Sequence, residues 1–196
     1  MYKYLNNVTN ISKYIMTNIV REGSFVIDAT VGNGNDTITL AELVGNSGKV
    51  YGFDIQDKAI ENTKEKLLLK SLTNRVELIK DSHENINKYI REPVNLVVFN
   101  LGYLPNGDHS IVTKSASTIL AIKESLKILK PNGLLVITSY PGHIEGKKEK
   151  EDIENLLKSI EQKNFNVLKF DFINQINNPP ILYAIEKKAE KEWDNE

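Results

Sequence analysis

A chain of 196 residues with 40% hydrophobic and 26% charged residues carries enough apolar material for one compact domain with an ordinary buried core. Its net charge of −1 excludes a globally basic nucleic-acid binder and leaves only local basic patches as a route to phosphate. The absence of cysteine excludes disulfides, thiolate metal sites and cysteine nucleophiles. No apolar run approaches the roughly 18 residues of a membrane-spanning helix, and residues 1–10 lack the apolar centre of a signal peptide, so a cytoplasmic location without membrane contact is expected.

In chain order, Ile11, Ile15 and Ile19 recur at helical spacing and predict an N-terminal helix over about residues 5–21. A first short strand, Phe25–Ile27, ends at Asp28 and runs into a glycine loop. Ile38, Ala41 and Val44 then mark a helix. The second strand is Lys49–Phe53. It is followed by a helix carrying Ile60, Lys64 and Leu67, for which Asp57 is the expected N-cap. Val76–Ile79 and Val94–Phe99 supply the third and fourth strands. The stripe Ile119, Ile122, Leu126 and Leu129 predicts a helix that stops before Pro131-Asn132-Gly133. Leu134–Tyr140 is the fifth strand, and Ile153, Leu156, Leu157 and Ile160 mark the next helix. The last two strands, Asn166–Phe170 and Ile181–Ile185, have no helical pattern between them and are expected to pair antiparallel. Strands that are apolar without clean alternation are covered on both faces. The expectation is a single α/β domain over residues 1–196 with a mostly parallel seven-stranded sheet, helices on both faces, and a charged tail that frays from about residue 188.

Ligands of open α/β sheets sit outside the carboxyl ends of the strands, at the switch point, and four such places carry unusual polar residues. The first is Asp28-Ala29-Thr30-Val31-Gly32-Asn33-Gly34-Asn35-Asp36-Thr37. Its glycines allow a sharp turn and close approach to a ligand, and the helix that follows offers unpaired N–H groups. A dinucleotide loop has a third glycine where Thr37 stands, which weakens a nicotinamide or flavin reading. Asp28 is placed to reach an ammonium group, directly or through water. The second place is Asp54-Ile55-Gln56, about 20 residues beyond the loop, where a carboxylate suits ribose hydroxyls. The third is Asp81-Ser82-His83. It is suited to an adenine edge, although Asp81 and Ser82 are also natural helix caps.

The fourth place follows the fourth strand: Asn100-Leu101-Gly102-Tyr103-Leu104-Pro105-Asn106-Gly107-Asp108-His109. Asn100 can accept a hydrogen bond from an amine, Tyr103 can stack on a base, and Asp108 and His109 are candidate proton acceptors. Tyr140 and His143 border the same mouth. Thr113, Ser117 and Thr118 are expected to cap the intervening helix, and Lys114 is a candidate substrate contact. His83, His109 and His143 lie on different loops without a local metal-binding pair, so no metal is expected.

Asp28 to Thr37 resembles the cofactor motif of class I S-adenosylmethionine-dependent methyltransferases. Asn100 to Asp108, Thr113 to Thr118 and Tyr140 to His143 are more narrowly similar to the YtqB/MnmM-type methyltransferases, and the resemblance covers about residues 5–187. It implies a Rossmann-like sheet of order 3-2-1-4-5-7-6 and S-adenosyl-L-methionine as cofactor, with S-adenosyl-L-homocysteine as product. The implied activity is methylation of the amino group of 5-aminomethyl-(2-thio)uridine at tRNA wobble position 34. By position, Asp28, Gly32, Asn33, Gly34, Asn35, Asp36 and Thr37 fall to the methionine part, Asp54 and Gln56 to ribose and adenine, and Asp81, Ser82 and His83 to the adenine side. Asn100 matches the first position of the Asn-Pro-Pro-Tyr motif of amino-group methyltransferases, with Leu101-Gly102-Tyr103 replacing Pro-Pro-Tyr.

A tRNA anticodon stem-loop is the implied partner, and its splayed bases stack readily on aromatics. Lys114, Lys123, Lys147, Lys148 and Lys150 are candidate phosphate contacts, interleaved with acidic residues; a homodimer would add a second basic surface, although no segment of the sequence specifies one. Three readings compete: the same chemistry on ribosomal RNA or a small amine, a nicotinamide-dependent oxidoreductase, and a non-catalytic RNA-binding module.

Overall fold

The structure is a computed structural model that describes residues 7–102, 113–142 and 144–189. Seven strands form one sheet: β1 (Phe25–Asp28), β2 (Lys49–Asp54), β3 (Val76–Lys80), β4 (Val94–Asn100), β5 (Leu129–Ser139), β6 (Phe165–Phe170) and β7 (Ile181–Lys187). Their spatial order is β3-β2-β1-β4-β5-β7-β6, the expected order. The five strands from β3 to β5 run parallel, while β7 is antiparallel to both β5 and β6.

Alternate residues of the central strands serve different cores. Ile27, Val97, Phe99, Leu135 and Ile137 point to one face, where α4 (Ile86–Tyr89), α5 (Ser115–Ile128) and α6 (Ile144–Lys158) cover them. Val26, Leu96, Val98 and Val136 point to the other, under α1 (Val8–Ile19), α2 (Asn35–Val44) and α3 (Asp57–Leu69). Both faces being apolar, the strands show no polar alternation, as expected of a sheet buried on both sides. Among the described residues no helix is long and apolar enough to cross a membrane.

The boundaries differ from the sequence expectation in instructive ways. The buried stripe of α1 is Val8, Ser12 and Met16, one position along from the isoleucines, which flank it half-buried. A helix buries a face about 100° wide, so the isoleucines mark its edge rather than its centre. Asp57 does not cap α3. Gln56 holds the N-cap position without a side-chain bond, and Asp57 is the first helical residue, its carboxylate 2.6 Å from Lys80 Nζ. Leu129 begins β5 rather than ending α5. Pro131-Asn132-Gly133 is absorbed as an irregularity between the Val94–Leu129 and Leu96–Leu134 pairs, with Asn132 at φ 61°.

Thr113 and Thr118 are not caps either. Lys114 occupies the N-cap of α5 without a side-chain bond, and Ser117 Oγ donates to the Lys114 carbonyl. Thr113 and Thr118 both donate to Glu149 of α6, at 2.9 and 2.6 Å. Glu149 is almost fully buried, so these hydroxyls offset part of the cost of removing a carboxylate from water. Thr113 also accepts from the Gly102 N–H and donates its own N–H to the Gly102 carbonyl. Both ends of the segment 103–112 are thereby joined and tied to α6. Glu149→Ala strands two hydroxyls, one of them buried, and is expected to lower unfolding free energy by about 1–3 kcal/mol in urea denaturation, with Glu149→Gln costing less.

Candidate active site

The carboxyl ends of β1 to β5 open into one cleft of about 1340 Å³. Its wall contains twelve of the expected residues: Gly32, Asn33, Asn35, Asp36, Asp54, Gln56, Asp81, Ser82, His83, Asn100, Lys114 and Tyr140. Tyr103, Asp108, His109 and His143 lie outside the described residues.

Asp28, Gly34 and Thr37 stand behind the wall and shape it. Asp28 is turned inward and almost fully buried: Thr37 Oγ1 donates to its Oδ2 at 2.6 Å, and the Thr30 N–H donates to its Oδ1 at 3.1 Å. The expected approach of Asp28 to a ligand ammonium is therefore not what the geometry provides. The carboxyl ties the end of β1 to the first turn of α2. Burial, reinforced by the charge of Asp36, pushes its pKa up to about 7. Thr37 is the donor this arrangement needs, and a glycine there would leave Asp28 Oδ2 without its short bond. Gly34 takes φ 76°, and a Cβ on it would lie 2.5 Å from Thr63 Oγ1, so the loop can turn against α3 only with glycine here.

Asp54 cross-links two loops. Its Oδ2 accepts from the Gly32 N–H at 2.8 Å and its Oδ1 from the Gln56 N–H at 2.9 Å. Lys66 of α3 donates to the Asn33 carbonyl at 2.7 Å and pins the outer side of the glycine loop. Asp81 is not the cap that was expected, since Ser82 holds the N-cap position; its Oδ1 accepts from the Ser82 N–H and Asn85 Nδ2, and its Oδ2 from Tyr89 Oη. These donors, Asn85 and Tyr89 first, hold its pKa below the usual carboxylate value. Ser82 itself makes no side-chain cap bond.

His83 is buried against Phe99, edge to face, with Nδ1 3.2 Å from the Ala29 carbonyl. A carbonyl only accepts, so Nδ1 carries the hydrogen and Nε2 is a bare acceptor. Burial holds its pKa below the usual value and keeps the ring neutral. Nε2 is fully buried and has no partner among the described residues, in a side chain that lines the cleft. An orphaned buried acceptor in a cleft wall fits a ligand that brings a donor.

At the other end of the cleft, Thr30 Oγ1 accepts from the Asn100 N–H at 2.7 Å, joining β4 to the glycine loop. Asp36 and Asn100 both line this part of the cleft, and burial holds the Asp36 carboxyl above the usual carboxylate range, with Asn100 offsetting part of the rise. Sequence reasoning missed Thr9, Asn10 and Lys13 of α1, which also line the cleft. They sit on the polar side of that helix, and nothing in the sequence says which loops it overhangs. Thr30 was legible in principle, as a hydroxyl between Asp28 and Gly32. Among the described residues no group of three or more His, Asp or Glu side chains is arranged to hold a metal ion.

The family model described as "Putative rRNA methylase" matches residues 50–186. A chloroplastic tRNA (mnm(5)s(2)U34)-methyltransferase of Arabidopsis thaliana is 34% identical over 92% of this chain and 69% of that protein. The chain belongs to this family. It is an S-adenosylmethionine-dependent methyltransferase. Among solved structures, a "putative rRNA-methylase" from Clostridium thermocellum is 51% identical with a TM-score of 0.92, covering 93% of this chain and 98% of that one. A Streptococcus mutans protein described as a "putative methyltransferase" and crystallised with SAH is 40% identical with a TM-score of 0.84, covering 95% of this chain and 99% of that one.

In this methyltransferase the glycine loop and the Asn35 end of α2 suit the methionine part of the donor. Asp54 keeps lone pairs for ribose hydroxyls, and His83 Nε2 offers an acceptor deeper in the wall. Two outcomes test the scaffold. Asp28→Ala should cost about 1–3 kcal/mol by stranding Thr37 and the Thr30 N–H, measured by denaturation. Because the folded pKa of Asp28 lies above its ordinary value of 3.8, its stabilising contribution is complete below about pH 4 and is lost as pH rises through about 7. Asp28→Asn should therefore flatten the fall in stability between about pH 4 and 7. Gly34→Ala should lose about 1–2 kcal/mol from its left-handed backbone alone, and should weaken donor affinity further in a calorimetric titration.

Proposed function

We propose that this methyltransferase acts on the amino group of 5-aminomethyl-(2-thio)uridine at tRNA position 34 and yields the 5-methylaminomethyl form. The observation that carries the reading is the likeness to the Arabidopsis protein, which extends over 92% of this chain and 69% of that protein. The geometry agrees with it. Asn100 ends β4 beside the glycine loop, where an amine can meet a methyl donor held by that loop. It lines the cleft, and its side-chain oxygen can accept an amine hydrogen. Tyr140 lines the same end and offers an aromatic surface for a splayed base.

Positioning supplies much of the acceleration of such a displacement, because the nucleophile must lie about 3 Å from the methyl and in line with the leaving sulfur. Lys114, Lys147 and Lys148 are exposed and belong to the start of α5 and to α6, the two helices beside the acceptor end. They supply cations for a nucleic-acid backbone. A second reading, methylation of ribosomal RNA, is favoured by the description of the matching family.

Both readings face the same experiment. Bulk RNA from cells lacking the protein is incubated with the chain and methyl-labelled S-adenosylmethionine, separated into tRNA and ribosomal RNA, and digested for nucleoside analysis. Label is expected in tRNA as the 5-methylaminomethyl nucleoside. Label confined to ribosomal RNA, or found only in protein or small molecules, overturns the assignment.

A further inference from the structure

We propose that Glu149, buried behind the cleft, is a positioning residue for the acceptor. Acting through Thr113, it fixes the wall formed by Gly102, Tyr140 and the first turn of α5, so that its loss slows methyl transfer and leaves the donor bound. The inference rests on the amine-acceptor reading above, in which the acceptor enters at the carboxyl ends of β4 and β5, and adds the group that shapes that side of the cleft.

Three successive N–H groups carry the chain out of β4, and each has a different partner. Asn100 donates to Thr30 Oγ1 at 2.7 Å, Leu101 to the Thr138 carbonyl at 2.9 Å, and Gly102 to Thr113 Oγ1 at 3.0 Å. The first bond ties the chain to the glycine loop and the second to β5. The third depends on a side chain that is itself held: Thr113 Oγ1 donates to Glu149 Oε2 at 2.9 Å. Gly102 takes φ 134°, and a Cβ built on it would lie 3.7 Å from Tyr140 Cδ2, so its backbone runs alongside the Tyr140 side chain. A line of contacts thus leads from Glu149 through Thr113 and Gly102 to the aromatic residue of the acceptor end.

The start of α5 is held from the same side. Ser115 and Thr118, three residues apart, are neighbours on the helix surface, and both donate to acids of α6. Ser115 Oγ donates to Asp152 Oδ2 at 2.5 Å and Thr118 Oγ1 to Glu149 Oε1 at 2.6 Å. Lys114, Ala116 and Ser117, between and beside them, line the cleft. Glu149 is only 2% exposed and is not part of the cleft wall, so its effect on a substrate is indirect.

The hydrogen bonds require a carboxylate at this position. Thr113 Oγ1 accepts from the Gly102 N–H and sends its own hydrogen to Glu149, while Thr118 sends its hydrogen to the other oxygen. Both Glu149 oxygens therefore act as acceptors. A glutamine offers one oxygen, and its NH2 group meets a hydroxyl that is already donating. Turning one threonine to suit the amide loosens either Gly102 or the first turn of α5. A shift of about 1 Å in a wall that positions a nucleophile is enough to cost about 100-fold in rate. The donor side is held by separate bonds, from the Gly32 and Gln56 N–H groups to Asp54 and from Lys66 to the Asn33 carbonyl.

The test uses the full chain, methyl-labelled S-adenosylmethionine and tRNA isolated from cells lacking the protein, under single-turnover conditions. Glu149→Gln, Thr113→Val, Thr113→Ser and the double variant Glu149→Gln with Thr113→Val are compared with wild type. Calorimetry with S-adenosylhomocysteine gives the donor-site affinity and the folded fraction to which rates are referred. Glu149→Gln and Thr113→Val are each expected to slow transfer by about 10- to 100-fold, with S-adenosylhomocysteine affinity within about threefold of wild type. Thr113→Ser keeps the hydroxyl and is expected to retain most of the rate. The double variant is expected to be no slower than the slower single variant, since both changes break one chain of bonds. Wild-type turnover by Glu149→Gln overturns the proposal, and so does a loss of donor affinity that accounts for the loss of rate. Losses that multiply in the double variant overturn it as well, because the two residues then act separately. Where Glu149→Gln fails to fold, Thr113→Val and Thr113→Ser decide the matter, and equal rates for the two overturn the proposal. A wild-type chain that labels no tRNA overturns the amine-acceptor reading and this inference with it, a result that no difference among the variants can mimic.

Discussion

Everything at the mouth of the sheet hangs on a short circuit of hydrogen bonds around Asp28. Thr37 donates to one of its oxygens and the Thr30 N–H to the other. Thr30 Oγ1 then accepts from the N–H of Asn100. The circuit joins β1, the glycine loop, the first turn of α2 and the end of β4. The circuit spans the boundary between β1 and β4, whose carboxyl ends both open into the cleft. A buried carboxyl with two short donors is a stiff way to hold that boundary, and its raised pKa reflects the burial that such stiffness requires.

Four aspartates at the ends of three strands and one helix illustrate how environment divides identical side chains. Asp28 is enclosed and pushed towards the neutral acid. Asp81 is surrounded by donors and pushed the other way. Asp54 clasps two backbone N–H groups and keeps lone pairs towards the cleft. Asp36 is held above the usual carboxylate range by burial, with Asn100 and then Lys13 offsetting part of the rise. Burial raises Asp28 and hydrogen-bond donors lower Asp81, although the intrinsic acidity of these groups is the same.

The second layer of support lies on the α5–α6 side. Glu149 receives Thr113 and Thr118, and Thr113 in turn exchanges bonds with Gly102. Gly102 and Thr113, the described residues on either side of 103–112, are thus joined to each other. On the opposite side, α1 brings Thr9, Asn10 and Lys13 to the rim. The acceptor end is therefore bordered by pieces from the beginning, middle and later part of the chain.

Much of this was readable from the residues alone. Apolar runs and helical stripes located every strand and all the longer helices. The glycine loop, Asp54, Asp81 and Asn100 were located because a polar residue at the end of a buried strand is conspicuous against its apolar surroundings. Patterns of this kind report local backbone and the side of an element that faces the core. They do not report which polar side chains meet. The inward turn of Asp28 onto Thr37, the bare Nε2 of His83 and the shared acceptor in Glu149 all depend on strand register and on how helices from distant parts of the chain settle against the sheet. The one-position offset of the α1 stripe arose in the same way, because the partner surface chooses the face. The sequence by itself determined the layers and the place of the cleft, since these follow from periodicity and the handedness of connections, while the strand order was what the family resemblance implied. Only the tertiary structure decided which of its acids are scaffold and which face the chemistry, because that choice is made by burial and by partners far away in the chain.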